Sequence, residues 1–319
     1  MRFTRTLLAV ICALASFAAL PARAEYPDRP IKLIVPFPAG GGGDVLARVM
    51  GHAMSENLGQ QIVIENKPGA GGALGLGDGA KAAPDGYTLV WTSISLPVVA
   101  ATLPNLSFDP DTAYAHIAKI AANPFVLVIN PQVPAKNVKE LVALAKKEPG
   151  KLNFAHNGSG TLTKLVLMLF ATDTGIKITD VGYRGDNFSS LDVIAGHVQG
   201  MFSNSPVALP HVKSGELHAL AVTSPQRSSA APDLPTMIEA GVPDFQAMAW
   251  HGLSAPKGTP KPIIDRLNAA VNASLNDATV KQTLAKLGTD SLGPSTPEEY
   301  TKLVNSEIAY WKSVAARTK

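Results

Sequence analysis

The stretch PFPAGGGGD (36–44) has the composition and order of an anion-binding turn. It follows an apolar run, IKLIVPF (31–37), and precedes a helical pattern that starts at Asp44 and reaches about Leu58. Glycine adopts whatever φ/ψ aims its amide inward and leaves that amide unshielded. A helix start adds free N–H groups and the positive end of its dipole. A loop made of Ala39, Gly40, Gly41, Gly42, Gly43 and Asp44 therefore suits an anion without lysine or arginine. Asp44 is expected to cap the helix by accepting from the amides at 46 or 47.

HNGSGT (156–161) is a second turn of this kind. Gly158 and Gly160 free the backbone, Ser159 and Thr161 add hydroxyls, and His156 and Asn157 open the loop. Two such helix starts on facing halves of a molecule would hold the two ends of one dianion. Thr92 and Ser93 end a third strand, YTLVWT (87–92), at the sheet edge where open α/β sheets bind ligands. Arg184, in VGYRG (181–185), is either a neutralising cation or a solvated loop charge.

Other chemistries are poorly served. The first loop lacks the Gly-Lys-Ser/Thr ending that a nucleotide phosphate needs. NKPGAGGALGLGDGAKA (66–82) approaches a dinucleotide fingerprint, but Leu74 stands where glycine or alanine is required, and helix–sheet packing accounts for its glycines. Ser159 lies in G-S-G and not in G-x-S-x-G. The seven histidines show no H-x-x-x-H or H-E-x-x-H spacing, so neither a metal nor a cofactor is expected.

The elements that carry these loops alternate. Strand 31–37, helix, strand 61–65, helix and strand 87–92 form a βαβαβ half of a doubly wound sheet. A second series has strands at 125–129, 152–155, 177–181, 198–202 and 218–223, with helices at 138–147, 161–172 and 188–195. FVLVINPQVPAKNVKELVALAK (125–146) and HGLSAPKGTPKPIIDRLNAAVN (251–272) share a strand–turn–helix layout and resemble an outgoing and a returning crossing. This layout predicts lobe one as 25–124 plus 250–319 and lobe two as 125–249, closed by a terminal helix over 297–316.

The N-terminus reads as an export signal over 1–24. Arg2 and Arg5 precede an apolar run, Leu7 to Leu20, and Ala22-Arg23-Ala24 fits a cleavage site before Glu25. Removing Arg2, Arg5 and Arg23 brings 28 basic residues level with 25 acidic ones, which argues against a nucleic-acid or anionic-membrane partner. It also removes Cys12, the single cysteine.

Longer stretches complete the pattern. YPDRPIKLIVPFPAGGGGDVLAR (26–48), VIENKPGAGGALG (63–75), APDGYTLVW (83–91), ALPHVKSGELHALAVTS (208–224) and DLPTMIEAGVPDF (233–245) together resemble the Bug family of periplasmic substrate-binding proteins. The resemblance implies a type II periplasmic-binding-protein fold, two α/β lobes around a ligand cleft, with no enzymatic activity. It implies a monomer in the periplasm that binds dicarboxylates, acidic amino acids or aromatic acids, with the membrane subunits of a tripartite tricarboxylate-type transporter as partners. The two glycine loops and Thr92-Ser93 match its ligand positions. Tyr183 and Gly185 match its tyrosine-basic-glycine turn, and Ser203 and Asn204 its Asp-Asn pair. Lys164, Met168, Gln199 and Ser203 depart from His, Glu and Asp positions, which makes lobe two less negative if those side chains approach the cleft. Leu96, Phe37 and Phe188 are expected to set the cleft volume. Two alternatives stay open: presentation of the ligand to a membrane sensor, and an exported esterase using Ser159 with His156 as base.

Overall fold

The structure, a computed structural model, describes residues 26–158 and 160–317. The export signal and Ser159 lie outside the described residues. Strands β1 (Ile31–Val35), β2 (Ile62–Asn66) and β3 (Thr88–Ser93) are parallel in the order β2-β1-β3. Helices α1 (Gly42–Leu58) and α2 (Ala73–Ala80) are their crossovers. Ile31, Leu33 and Val35 are fully buried on one face of β1, while on the other Ile34 is 3% exposed and Lys32 is open to solvent.

Helix α1 begins two residues before the expected start, with Gly41 at its N-cap. Asp44 is therefore inside the first turn and is not the cap. Its carboxylate reaches back to the Gly40 N–H at 2.9 Å and not forward to 46 or 47. An acid at the third helical position is suited to this backward bond and to the positive helix end. Arg48 Nε at 2.9 Å and Asn66 Nδ2 at 2.7 Å complete its coordination.

The central element is β4 (Tyr114–Ile129), a single strand of 16 residues where the apolar pattern predicts 125–129 alone. His116, Lys119, Asn123 and Pro124 interrupt the pattern in its first part. That part pairs antiparallel with β9 (Met248–Pro256), from Tyr114↔Pro256 to Pro124↔Met248. Its last five residues, from Phe125, pair with β7 (Gly200–Asn204), and Val126–Ile129 pair also with β8 (His218–Val222). Strand β9 also pairs with β3, so the sheet runs β2-β1-β3-β9-β4-β7-β5-β6, with β5 (Asn153–His156) and β6 (Thr179–Gly182) parallel to each other.

The second half carries α4 (Val138–Lys147), α5 (Leu162–Thr174), α6 (Asp186–Ile194) and α7 (Ser205–Lys213). Helix α3 (Ser95–Thr102) follows β3, and α8 (Lys261–Asn276), α9 (Ala278–Lys286), β10 (Asp290–Ser291) and α10 (Pro297–Arg317) follow β9. Neither α3 nor α7 is anticipated by the sequence, because Pro97, Pro206 and Pro210 make both read as broken. Leu46, Met50 and Met54 of α1 pack with Leu267 and Val271 of α8 on one sheet face. Phe154, Phe170, Phe202 and Phe245 join Trp250, Tyr300 and Trp311 in a second core. No helix among the described residues is long and apolar enough to cross a membrane.

Candidate functional site

A cavity of about 630 Å³ lies between the two halves of the sheet. Five helices begin on its wall: α1 at Gly42, α3 at Ser95, α5 at Leu162, α6 at Asp186, and α7, whose N-cap is Asn204. The first amides of a helix have no intrahelical acceptor, and each start carries roughly half a positive charge. Among the described residues, Arg184 is the one permanently cationic side chain on this wall. Phe37, Ile94, Phe125, Leu162 and Phe188 supply apolar surface. The geometry therefore favours a negative group held by main-chain N–H and an apolar body.

Gly41, Gly42, Gly43, Ser93, Asn157, Gly158, Thr161, Tyr183 and Asn204 all line the cavity. Ala39 and Gly40 are exposed and off the wall, and Gly160 is also off it. The Gly40 amide is taken by Asp44, and the Gly41 amide bonds Pro38 O at 3.2 Å. In the first loop the amides left for a ligand are thus those of Gly42 and Gly43, in the helix turn itself. Thr92 is fully buried, with its hydroxyl 2.7 Å from Ser254 Oγ and 2.8 Å from Tyr300 OH, so it braces the sheet. Ser93 Oγ accepts from the Ser95 amide at 3.1 Å and shapes the start of α3.

The second loop is more occupied than its glycines suggest. The Asn157 amide bonds Thr163 Oγ1 at 3.0 Å, and the Gly158 amide bonds His156 Nδ1 at 3.0 Å. His156 is buried off the cavity wall with Nε2 at 3.1 Å from Asp180. Burial, then the Lys164 ammonium, holds its pKa below the ordinary histidine value. Both its nitrogens are engaged, so it offers no free base to a serine, and the esterase alternative loses its second residue. Tyr183 turns its hydroxyl to Asp192 at 2.7 Å. Ser203 is buried off the wall.

Three features escape the sequence reading. The loop Pro68–Gly72, dismissed as helix–sheet packing, lines the cavity. Ala70 (φ 49°) and Gly71 (φ 67°) are left-handed there, and a Cβ on Gly71 would collide with the Gly160 carbonyl of the other half. Leu96 is buried away from the wall, whereas Phe37 and Phe188 line it as expected. Asp186 stands on the wall, 3% exposed. It takes hydrogen bonds from Asn204 N and Nδ2 at 2.8 Å each and from Asn157 Nδ2 at 3.2 Å. Burial pushes its pKa up, against these donors. Lys164, Met168, Gln199 and Ser203 all lie off the wall, so the condition for a less negative lobe-two side is not met, and the carboxylate that does stand there is Asp186. A lone acid after a glycine carried no signal in the sequence.

Similar proteins now bear on this geometry. A family described as "Tripartite tricarboxylate transporter family receptor" matches residues 46–318. The chain is 36% identical to Protein BugT of Bordetella pertussis, covering all of this chain and 98% of that one. MatC of Rhodopseudomonas palustris, solved with bound malate, is 34% identical and superposes with a TM-score of 0.86, covering 91% of this chain and all of MatC. A second R. palustris protein, solved with adipate, gives 32% identity and a TM-score of 0.89 over 92% of this chain and 98% of that one.

Proposed function

The chain belongs to the tripartite tricarboxylate transporter receptor family, whose members are solute-binding proteins and not enzymes, and from that membership we propose that it captures a small carboxylate in the cleft and delivers it to the membrane subunits of such a transporter. Its fold is the type II fold of periplasmic binding proteins. Residues 25–124 with 250–319 act as lobe one and 125–249 as lobe two. Residues 1–24 direct export and are cleaved, leaving a periplasmic monomer.

The observation that carries this reading is the convergence, among the described residues, of five helix starts on a cavity with one cationic side chain. Main-chain donors fixed by helices bind a carboxylate without a preformed countercharge. Closure of the lobes excludes water and strengthens each N–H···O bond, because the local dielectric falls. Gly42, Gly43, Thr161, Leu162, Asn157 and Asn204 are the contacts assigned to the ligand, with Ser159 as a hydroxyl donor and Tyr183 as a wall. The ligand class comprises dicarboxylates, acidic amino acids and aromatic acids; the malate and adipate of the two R. palustris proteins are members of it.

A thermal-shift screen of the mature chain against such acids is expected to raise the melting point for at least one, since a ligand confined to the native state stabilises it. Titration calorimetry then reads Gly42→Val, whose Cβ would lie 3.2 Å from that of Asn204 and whose branches cover the amides of the α1 start. The variant is expected to lose at least about 100-fold in affinity, on the order of two charge-assisted hydrogen bonds. Full affinity in Gly42→Val would sink the assignment.

A further inference from the structure

The donor-only indole of Trp91 fixes the direction of a hydrogen-bond chain that crosses the cleft floor. Trp91 Nε1 donates to His251 Nδ1 at 3.2 Å, so the His251 proton sits on Nε2 and is donated to Asn123 Oδ1 at 3.1 Å. Burial lowers the His251 pKa to about 3, which keeps the ring in this neutral form. Asn123 must then offer Nδ2 to Asn204 Oδ1, at 3.2 Å. Asn204 in turn presents Nδ2 to Asp186 Oδ2, where its own backbone N–H joins. On the other side, Asn157 Nδ2 donates to Asp186 Oδ1 at 3.2 Å, while Ser189 Oγ shares its one proton among Asn157 Oδ1 and the Gly185 and Asp186 carbonyls at 3.0–3.2 Å. The three hydrogen bonds that reach Asp186 in this network are all donated to its carboxylate.

Asp186 is therefore an acceptor-only carboxylate on the wall of an anion site. Its Oδ2 holds two donors and its Oδ1 one, so Oδ1 keeps an acceptor position. Ser203 Oγ stands beside it but makes no hydrogen bond of normal geometry. No salt bridge reaches Asp186 among the described residues. A guest whose middle is plain hydrocarbon adds a like charge to this wall and leaves Oδ1 desolvated without a partner, which is costly.

We infer that Asp186 makes the cleft selective for carboxylates that also carry a hydrogen-bond donor, an ammonium or a hydroxyl, over their donor-free analogues. The inference rests on the carboxylate-capture reading and narrows its ligand class to amino and hydroxy acids. Asp186 is the specificity-determining residue, and the chain from Trp91 through Asn204 positions its acceptor.

Matched pairs test it by titration calorimetry on the full mature chain at neutral pH: L-aspartate and L-malate against succinate, 2-hydroxyadipate against adipate, and 3-phenyllactate against 3-phenylpropionate. The donor-bearing member is expected to bind at least about 10-fold tighter, since a polar group built for a partner discriminates against its loss. In Asp186→Asn, checked for an intact melting transition, that ratio is expected to fall to about one. Equal or tighter binding of the donor-free members to the wild type overturns the inference whatever the variant does. An undiminished ratio in a folded Asp186→Asn overturns the role of this residue. Failure of every acid to bind overturns the capture reading, and the inference falls with it.

Discussion

Asp44 shows how one side chain decides which amides of a glycine loop are free. The run Gly40–Gly43 announces the loop because glycine and a helix start are local signals. Which amides are spent was not legible, since it depends on where the Asp44 carboxylate turns and on Asn66 from β2. The same holds in the second loop, where His156 and Thr163 consume two amides. Burial works to raise the Asp44 pKa, but Arg48, Asn66 and the Gly40 amide hold it below the ordinary carboxylate range. Asp44→Ala deletes all three partners and is expected to cost about 2–3 kcal/mol in urea unfolding at neutral pH. Because its folded pKa is depressed, the Asp44 contribution is complete above the ordinary carboxylate value and fades as pH falls through the folded one. A variant as stable as the parent would contradict this account.

At the scale of elements, the parallel strands were legible from continuous apolar runs, and β4 was not. Its first part carries His116, Lys119 and Asn123, which find partners far along the chain: Ser254 and His251 of β9, Asn204 of β7, and Ser295 before α10 for the Lys119 amide. His116 is buried, with Nδ1 at 2.9 Å from Ser254 Oγ, and burial lowers its pKa to about 4. Below its ordinary value of 6.5 the unfolded chain takes up a proton that the folded chain refuses. Stability therefore falls as pH drops from there toward 4, by about 1.4 kcal/mol per pH unit for this group. His116→Gln is expected to remove that increment from the slope measured by urea unfolding between pH 6 and 4.5. An unaltered slope would place the titration elsewhere.

At the scale of the molecule, the cleft is closed by backbone as well as by side chains. Gly71 of the α2 approach and Gly160 of the second loop meet without room for a Cβ. Gly71→Ala is expected to hold the halves apart, weakening ligand affinity about 10-fold or more while each half stays folded. Small-angle scattering checks this: the ligand-saturated variant should keep the larger radius of gyration of the free protein, and full compaction would disprove it. That contact was invisible in the sequence because it joins two distant turns. The position of β9 between β3 and β4 has its own consequence for biogenesis. Trp91 and His251, which meet across the β3–β9 seam, are 160 residues apart. A chain emerging from its N-terminus thus carries β3, with Leu89, Val90 and Trp91, beside a vacant hydrogen-bonding edge until β9 is synthesised. Open apolar edges recruit other chains. Premature termination before residue 248 leaves an adhesive half-sheet in place of a smaller folded unit, so productive folding depends on holding the early strands apart until the late one arrives.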